Sequence, residues 1–335
     1  MILVTGGTGL VGAHLLFTLV KNGEVVTVIH RKESNLLCVK KVFSYYTDQY
    51  EILFEKINWI VADIANIPEL EIAFKNITYV YHCAALISFN PKDYDQLKET
   101  NVIGTTNIVN LCIANGIKKL CYVSSVATIG KPLKNEIATE ETEWSSINAN
   151  VYALTKRAAE MEVWRGSQEG LSVVIVNPGV IIGPGFWKTG SGVLFSNAAK
   201  GRKYYPPGGT GFITVHDVVK MMVLLMDSSV FKERFIAVSK NLTYKEILSS
   251  LALHLDKKTP SKQLKFWQLE LLWRLDSVVC FLSNKSQKLT KNSVISLRNR
   301  TQFSNEKIKE TLDFNFDELD PTLKFSCAKF KEENP

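Results

Sequence analysis

Two residues in this 335-residue chain are spaced to act together: Tyr152 and Lys156, in the segment VYALTKRAAEMEVWR. The segment has helical periodicity, and side chains four apart leave one helix face toward a common site. A phenol with a reference pKa of about 10 is a poor acid-base group near neutrality unless a cation beside it favours the phenolate. An ammonium group one turn away supplies that cation. Taken alone, the pair is also what an ordinary exposed helix carries, so it needs a third group and a bound reactant. YVSS (122–125) ends an apolar run with two hydroxyls, and strand alternation lets only one of Ser124 and Ser125 face such a site directly.

The elements that must position these groups begin at the N-terminus, MILVTGGTGLVG. Gly6, Gly9 and Gly12 form G-x-x-G-x-x-G between an apolar strand and a helix. One glycine allows the tight turn and one lets the backbone approach a pyrophosphate. The third lets the helix pack on the strand, with its N-terminus facing the phosphate charge. A flexible turn is the competing reading. Apolar, β-branched runs recur at 2–5, 25–30, 57–63, 78–85, 119–125 and 171–178. Between them lie stretches long enough for crossover helices, such as 10–21 and 91–115, the latter stopping at Asn115-Gly116. Nearly continuous hydrophobicity predicts strands buried on both faces. The expected architecture is therefore α/β, a Rossmann-type doubly wound parallel sheet with a smaller, mainly helical C-terminal substrate-binding region. The dinucleotide-binding part is placed at 1–180, with 212–240 (HDVVKMMVLLM as helix, ERFIAVS as strand) returning to it, and the substrate region at 181–211 and 241–335.

Composition narrows the function classes. With 46% hydrophobic and 22% charged residues, the chain is neither disordered nor fibrous. Cys38, Cys83, Cys112, Cys121, Cys280 and Cys327 are scattered without a C-x-x-C pair, which argues against a metal site or a disulfide framework and for buried thiols. The net charge of +7, from 40 basic and 33 acidic residues, suits anionic ligands, and no interleaving of basic and aromatic residues suggests nucleic acid. No basic-then-apolar leader opens the chain, and no apolar run approaches the roughly 18 residues of a membrane span, so the expected location is cytoplasmic.

The pattern resembles the extended short-chain dehydrogenase/reductase family, the NAD-dependent epimerase/dehydratase superfamily, over roughly the first 240 residues. T-G-x-x-G-x-x-G opens the chain, Asp63 closes the third strand, HCAA (82–85) the fourth, and NVIGTTN (101–107), YVSS with Gly130, and YALTK (152–156) follow in the family's order. The resemblance implies an enzyme in which Tyr152 is the acid-base group. Lys156 supports it and holds the nicotinamide ribose hydroxyls, and Ser125, five residues before Gly130, bonds the substrate oxygen. It further implies cofactor contacts at Gly6, Thr8, Gly9, Leu10, Val11 and Gly12, at Asp63 and Ile64, at Ala84, Ala85 and Asn101, and at Pro178 and Val180.

The second strand ends in His30, Arg31 and Lys32, and its first acid, Glu33, comes too late to hold a ribose. Arginine at that place accommodates a 2′-phosphate, so NADP(H) is expected over NAD(H), with a solvated basic turn as the competing account. In VNPGVIIGPG (176–185), Asn177 and Val180 stand where nucleotide-sugar enzymes of the family tend to carry arginine and asparagine. N-P-G-V-x-x-G-P-G instead resembles dihydroflavonol 4-reductase and its bacterial relatives, which reduce carbonyl groups on hydrophobic substrates. Ser88, Phe89, Ser125 and Phe186 are the expected substrate contacts, and Trp187 and Phe195 are further apolar candidates for the pocket, or simple core. The expected activity is NADP(H)-dependent reduction of a ketone or aldehyde. A sugar-nucleotide epimerase or dehydratase, a hydroxysteroid dehydrogenase or isomerase, and a non-catalytic NADP sensor are the alternatives, the sensor being at odds with retention of both Tyr152 and Lys156.

Related enzymes often pair through two helices of each subunit, and residues 91–115 with 150–169 could do so in a homodimer, although their outer faces are not diagnostic. Between residues 257 and 309, twelve Lys or Arg face three Asp or Glu, and FWQLELLWRLDSVVCFL (266–282) lies within that stretch. A helix with Trp267, Trp273 and Phe281 beside basic flanks could rest on an anionic membrane. A lid helix packed over the substrate pocket is the favoured reading.

Overall fold

The computed structural model describes residues 1–132, 136–147, 149–283 and 290–334. The six apolar runs become strands β1 (Ile2–Thr5), β2 (Val26–His30), β3 (Asn58–Val61), β4 (Tyr79–His82), β5 (Lys119–Val123) and β6 (Val173–Pro178). Three short strands follow, β7 (Val180–Ile182), β8 (Tyr204–Tyr205) and β9 (Gly209–Thr214), then β10 (Glu233–Ala237), β11 (Lys240–Thr243) and β12 (Lys262–Gln263). ERFIA, as β10, returns to lie beside β6. The main sheet has seven parallel strands in the order β10-β6-β5-β4-β1-β2-β3. Strand order reverses between β1 and β4, and ligands of such sheets bind outside the carboxyl ends of the strands at that switch point. The register sets Thr5, His82 and Tyr122 in one row across β1, β4 and β5.

Alternation along the strands feeds two apolar layers. On one face Val4, Val28, Val174 and Val176 pack with α1 (Leu10–Lys21), α2 (Leu37–Ser44), α3 (Tyr50–Glu55) and α9 (Val215–Asp227). On the other, Leu3, Val80, Leu120, Val173 and Ile175 pack with α4 (Ile67–Ala73), α6 (Gly104–Ala114) and α7 (Val151–Gln168). β3 departs from the expected two-sided burial. It is the sheet's edge, and Asn58 and Val61 are exposed. The stretch 91–115 is not one helix either: a single 3₁₀ turn, α5 (Tyr94–Leu97) and a π-helical turn over Lys98–Ile103 precede α6. A π turn widens the helix locally and is frequent at functional sites, and here it carries Asn101.

A third core joins Ile182, Trp187 and Phe195 to residues of β9, α10 (Tyr244–His254) and α14 (Leu319–Glu333), beneath a small sheet ordered β11-β9-β7. α8 (Gly192–Ala198) lies in it, and α11 (Phe266–Ser283), α12 (Lys291–Arg298) and α13 (Glu306–Leu312) complete the chain. Of the cysteines, Cys112, Cys121 and Cys327 are buried, whereas Cys38, Cys83 and Cys280 are only partly so. Among the described residues, no helix is long and apolar enough to cross a membrane.

Candidate active site

The loop after β1 makes a cradle out of backbone. Gly6 holds φ at +68°, and a Cβ there would sit 2.5 Å from the Ala84 nitrogen, so the turn and its contact with the end of β4 both require glycine. A Cβ on Gly12 would overlap the Gly6 carbonyl oxygen, which is how closely α1 packs on the turn. Gly9 caps α1 without a side-chain hydrogen bond, no acid stands in the first turn, and the space around Gly9 is open but for the Gly6 oxygen. Helix-start N–H groups with no side-chain cap, bordering open space, fit a pyrophosphate. Thr8, Leu10 and Val11 line the same turn, each partly exposed.

Beneath the cradle the Thr5–His82 row forms a directed chain of hydrogen bonds. Ala84 N–H donates to Thr5 Oγ1 (3.2 Å), and Thr105 Oγ1 donates to the Asn101 carbonyl (2.6 Å). With the Thr105 proton so placed, His82 Nε2 donates to Thr105 Oγ1 (2.9 Å) and Nδ1 accepts from Thr5 Oγ1 (2.6 Å), which fixes a neutral ring. Burial, with the nearby Lys156 ammonium second, holds the His82 pKa down at about 3. Asn101 is turned inward: it brackets the Leu86 backbone, accepting from its N–H (2.7 Å) and donating to its carbonyl (3.1 Å), and reaches Thr155 (3.2 Å). Its side chain therefore shapes the loop after β4.

At the neighbouring corner, β5, β6 and α7 bring Ser125, Tyr152 and Lys156 together. Tyr152 stands in the first turn of α7, with Asn150 capping the helix by accepting from Ala153 N–H (2.8 Å). Burial raises its pKa to about 12, opposed by a hydrogen-bonding contact from the Ser125 side chain, and Phe89 packs edge-on against its ring (5.7 Å between centroids). Lys156, fully buried, does not point its charge at Tyr152 as expected. Its ammonium donates to Tyr122 Oη (2.6 Å) and the Val123 carbonyl (2.9 Å) and lies 4.3 Å from the Tyr122 ring centre. Burial holds the Lys156 pKa down at about 7, with the Glu160 carboxylate opposing. The Tyr122 ring in turn stacks on His82 (5.4 Å), so the lysine rests against the histidine chain.

Ser124 takes the other side of the alternation. It donates to Glu160 Oε2 (2.6 Å), which also accepts from Thr128 Oγ1 (2.6 Å) and Asn177 Nδ2 (2.9 Å). Arg234 (3.0 Å) and Arg157 (3.3 Å) neutralise Glu160 Oε1. Asn177 is thus wholly buried against α7, its amide donating to Thr128 Oγ1 (2.8 Å) as well as to Glu160. Trp187 and Phe195 are likewise core, packed on each other and on Phe330.

The remaining candidates lie at the carboxyl edge in different states. Arg31 and Lys32 are exposed beyond β2, and Ala84, Ala85, Pro178 and Val180 follow β4 and β6. Asp63 accepts the Ala65 N–H (2.8 Å), and the Ile64 carbonyl takes Asn107 Nδ2 (3.0 Å). Ser88 already donates to Asp93 (2.5 Å) and accepts from Asn90 N–H (3.2 Å). Phe186, at φ +56°, packs against the α1–α2 layer. Sequence assigns no role to Glu160, nor to His82 and Tyr122 within HCAA and YVSS, although strand alternation from Ser124 places Tyr122 on the α7 side, where Lys156 comes down.

Residues 2–237 match the profile of the NAD dependent epimerase/dehydratase family. The chain is 30% identical over 286 residues to a putative dihydroflavonol 4-reductase of Synechocystis, covering 82% of this chain and 79% of that one. It is 27% identical over 254 residues to sterol demethylase protein B of Methylococcus capsulatus, covering 74% and 73%. The crystal structure of a UDP-glucose 4-epimerase from Thermotoga maritima, with UDP-glucose, superposes with a TM-score of 0.79 at 20% identity, over 100% of this chain and 99% of that one.

Proposed function

Because the chain belongs to the NAD-dependent epimerase/dehydratase family, whose members are NAD(P)-dependent enzymes acting on small molecules, we propose that it is an NADP(H)-dependent reductase of a ketone or aldehyde on a hydrophobic small molecule. The observation that carries this reading is the state of Tyr152: a phenol kept protonated by burial, touched by the Ser125 side chain and walled by Phe89. That is a proton donor with an apolar face beside it, which suits an apolar carbonyl compound. Likeness to the putative dihydroflavonol 4-reductase supports the same reading.

The nicotinamide cofactor, when bound, supplies the hydride that reaches the carbonyl carbon. The Gly6–Gly12 turn would hold its pyrophosphate, Arg31 and Lys32 the 2′-phosphate, and Lys156 the nicotinamide ribose. Ser125 holds the substrate oxygen, and Tyr152 gives that oxygen its proton, completing the alcohol. Residues 181–211 and 241–335 supply the rest of the substrate pocket. Following NADPH consumption across a panel of hydrophobic aldehydes and ketones, with Tyr152→Phe as control, tests the proposal. Turnover that the variant loses is the expected result. Tight NADPH binding without consumption on any of them, alongside interconversion of sugar nucleotides, would replace the reductase by an epimerase.

A further inference from the structure

α11 turns its apolar side outward. Leu269 is buried, Trp273 is half-buried, and Glu270 is enclosed by Trp273 Nε1 (3.0 Å) and Arg274 (3.2 Å), with Asp276 and Ser277 also half-buried. Trp267, Leu271 and Leu275 recur every four residues, with Leu272 beside them. All four face solvent, Trp267 60% and Leu275 52% exposed. A helix packed on a globular body normally shows the reverse pattern, and a contiguous exposed apolar stripe marks a contact surface. The Phe281 side chain lies outside the described residues.

Two arginines lie against rings of α11, and exposed lysines precede it in the chain. The Arg298 guanidinium lies 4.6 Å from the Phe266 ring centre and that of Arg274 5.1 Å from the Trp273 ring, while Lys257, Lys258 and Lys262 are exposed on the approach to α11. We infer that this face docks on an anionic lipid surface, the stripe seated among the headgroups and the basic rim against their charge. A second copy of the chain fits less well, because a two-fold contact through one stripe would bring the two basic rims together. The inference is independent of which carbonyl compound is reduced.

Flotation of the full chain with vesicles of phosphatidylcholine alone, and of phosphatidylcholine with phosphatidylserine, tests it. Binding to the mixed vesicles only, weakened by salt, is expected. The triple variant Trp267→Gln, Leu271→Gln, Leu275→Gln should lower partitioning about tenfold. Leu37→Gln, at a position 72% exposed on α2, serves as control and should change nothing. NADPH titration of each variant reports that it is folded, so a loss of partitioning cannot be confused with a loss of fold or with a wrong substrate. Absence of partitioning onto either vesicle, or partitioning indifferent to the triple variant, overturns the inference. So does self-association in sedimentation velocity that the triple variant abolishes while vesicles stay bare, which would make the stripe a contact between copies.

Discussion

The turn between β1 and α1 and the corner where β5, β6 and α7 meet share one edge of one sheet, yet they are built by opposite means. The turn offers backbone N–H groups and open space, and its demands are steric: Gly6 and Gly12 have no room for a Cβ. The corner is filled with side chains whose charges are set by burial, from a lysine held down at about 7 to a phenol pushed up to about 12. On the proposed reading, the part that receives phosphate is left bare, and the part that moves a proton is packed so that burial sets the pKa of each group before a reactant arrives.

That contrast can be broken most sharply at Tyr152. Tyr152→Phe removes only the proton donor, and we expect turnover to fall on the order of 10³-fold, while NADPH affinity by fluorescence titration stays within about threefold. Comparable losses in both would mean that Tyr152 itself helps to hold the cofactor. Gly12→Ala should do the converse at the turn. Its Cβ forces α1 off the Gly6 carbonyl, so NADPH binding measured by calorimetry should weaken on the order of 30-fold, with a lower melting temperature.

A third substitution sharpens the corner itself. In Tyr122→Phe the ring stays and the hydroxyl that accepts from Lys156 goes, so the turnover number should drop about tenfold. The sign of the pH effect follows from that bond. Lys156 is charged below its folded pKa of about 7 and neutral above it, so the hold on the ribose that we propose for it weakens as pH rises through that value. Losing a hydrogen bond to the charged form lowers the pKa further, which moves the weakening of NADPH binding to more acidic pH. An unmoved profile would detach Tyr122 from Lys156. The smallest expected effect is at the rim: Arg31→Ala should cut the preference for NADPH over NADH about fivefold and leave NADH binding unchanged, measured by parallel titrations.

The backbone-made part was legible in the sequence because glycine is a rare answer to a local steric demand, and the strands were legible from their continuous apolar runs. The side-chain corner was not, because its organising residues look ordinary one at a time. Glu160 reads as a charge on a helix surface, yet its partners Ser124, Thr128 and Asn177 lie 36, 32 and 17 residues away. The family motif around Asn177 says which residue stands where others carry arginine, whereas strand parity decides where its side chain points. Trp187 and Phe195 were ambiguous between pocket and core for the same reason: aromatic character does not say which layer of helices will cover a ring.

The position of Glu160 bears on how such an enzyme can change over time. One carboxylate ties the end of β5, beside the serine, to β6 and to the helix carrying the tyrosine, all on the α7 face of the sheet. Substitutions beyond β6 that leave 160 and 177 alone should therefore not disturb the spacing between Tyr152 and Ser125, whereas changes at 160 or 177 would have to occur in step.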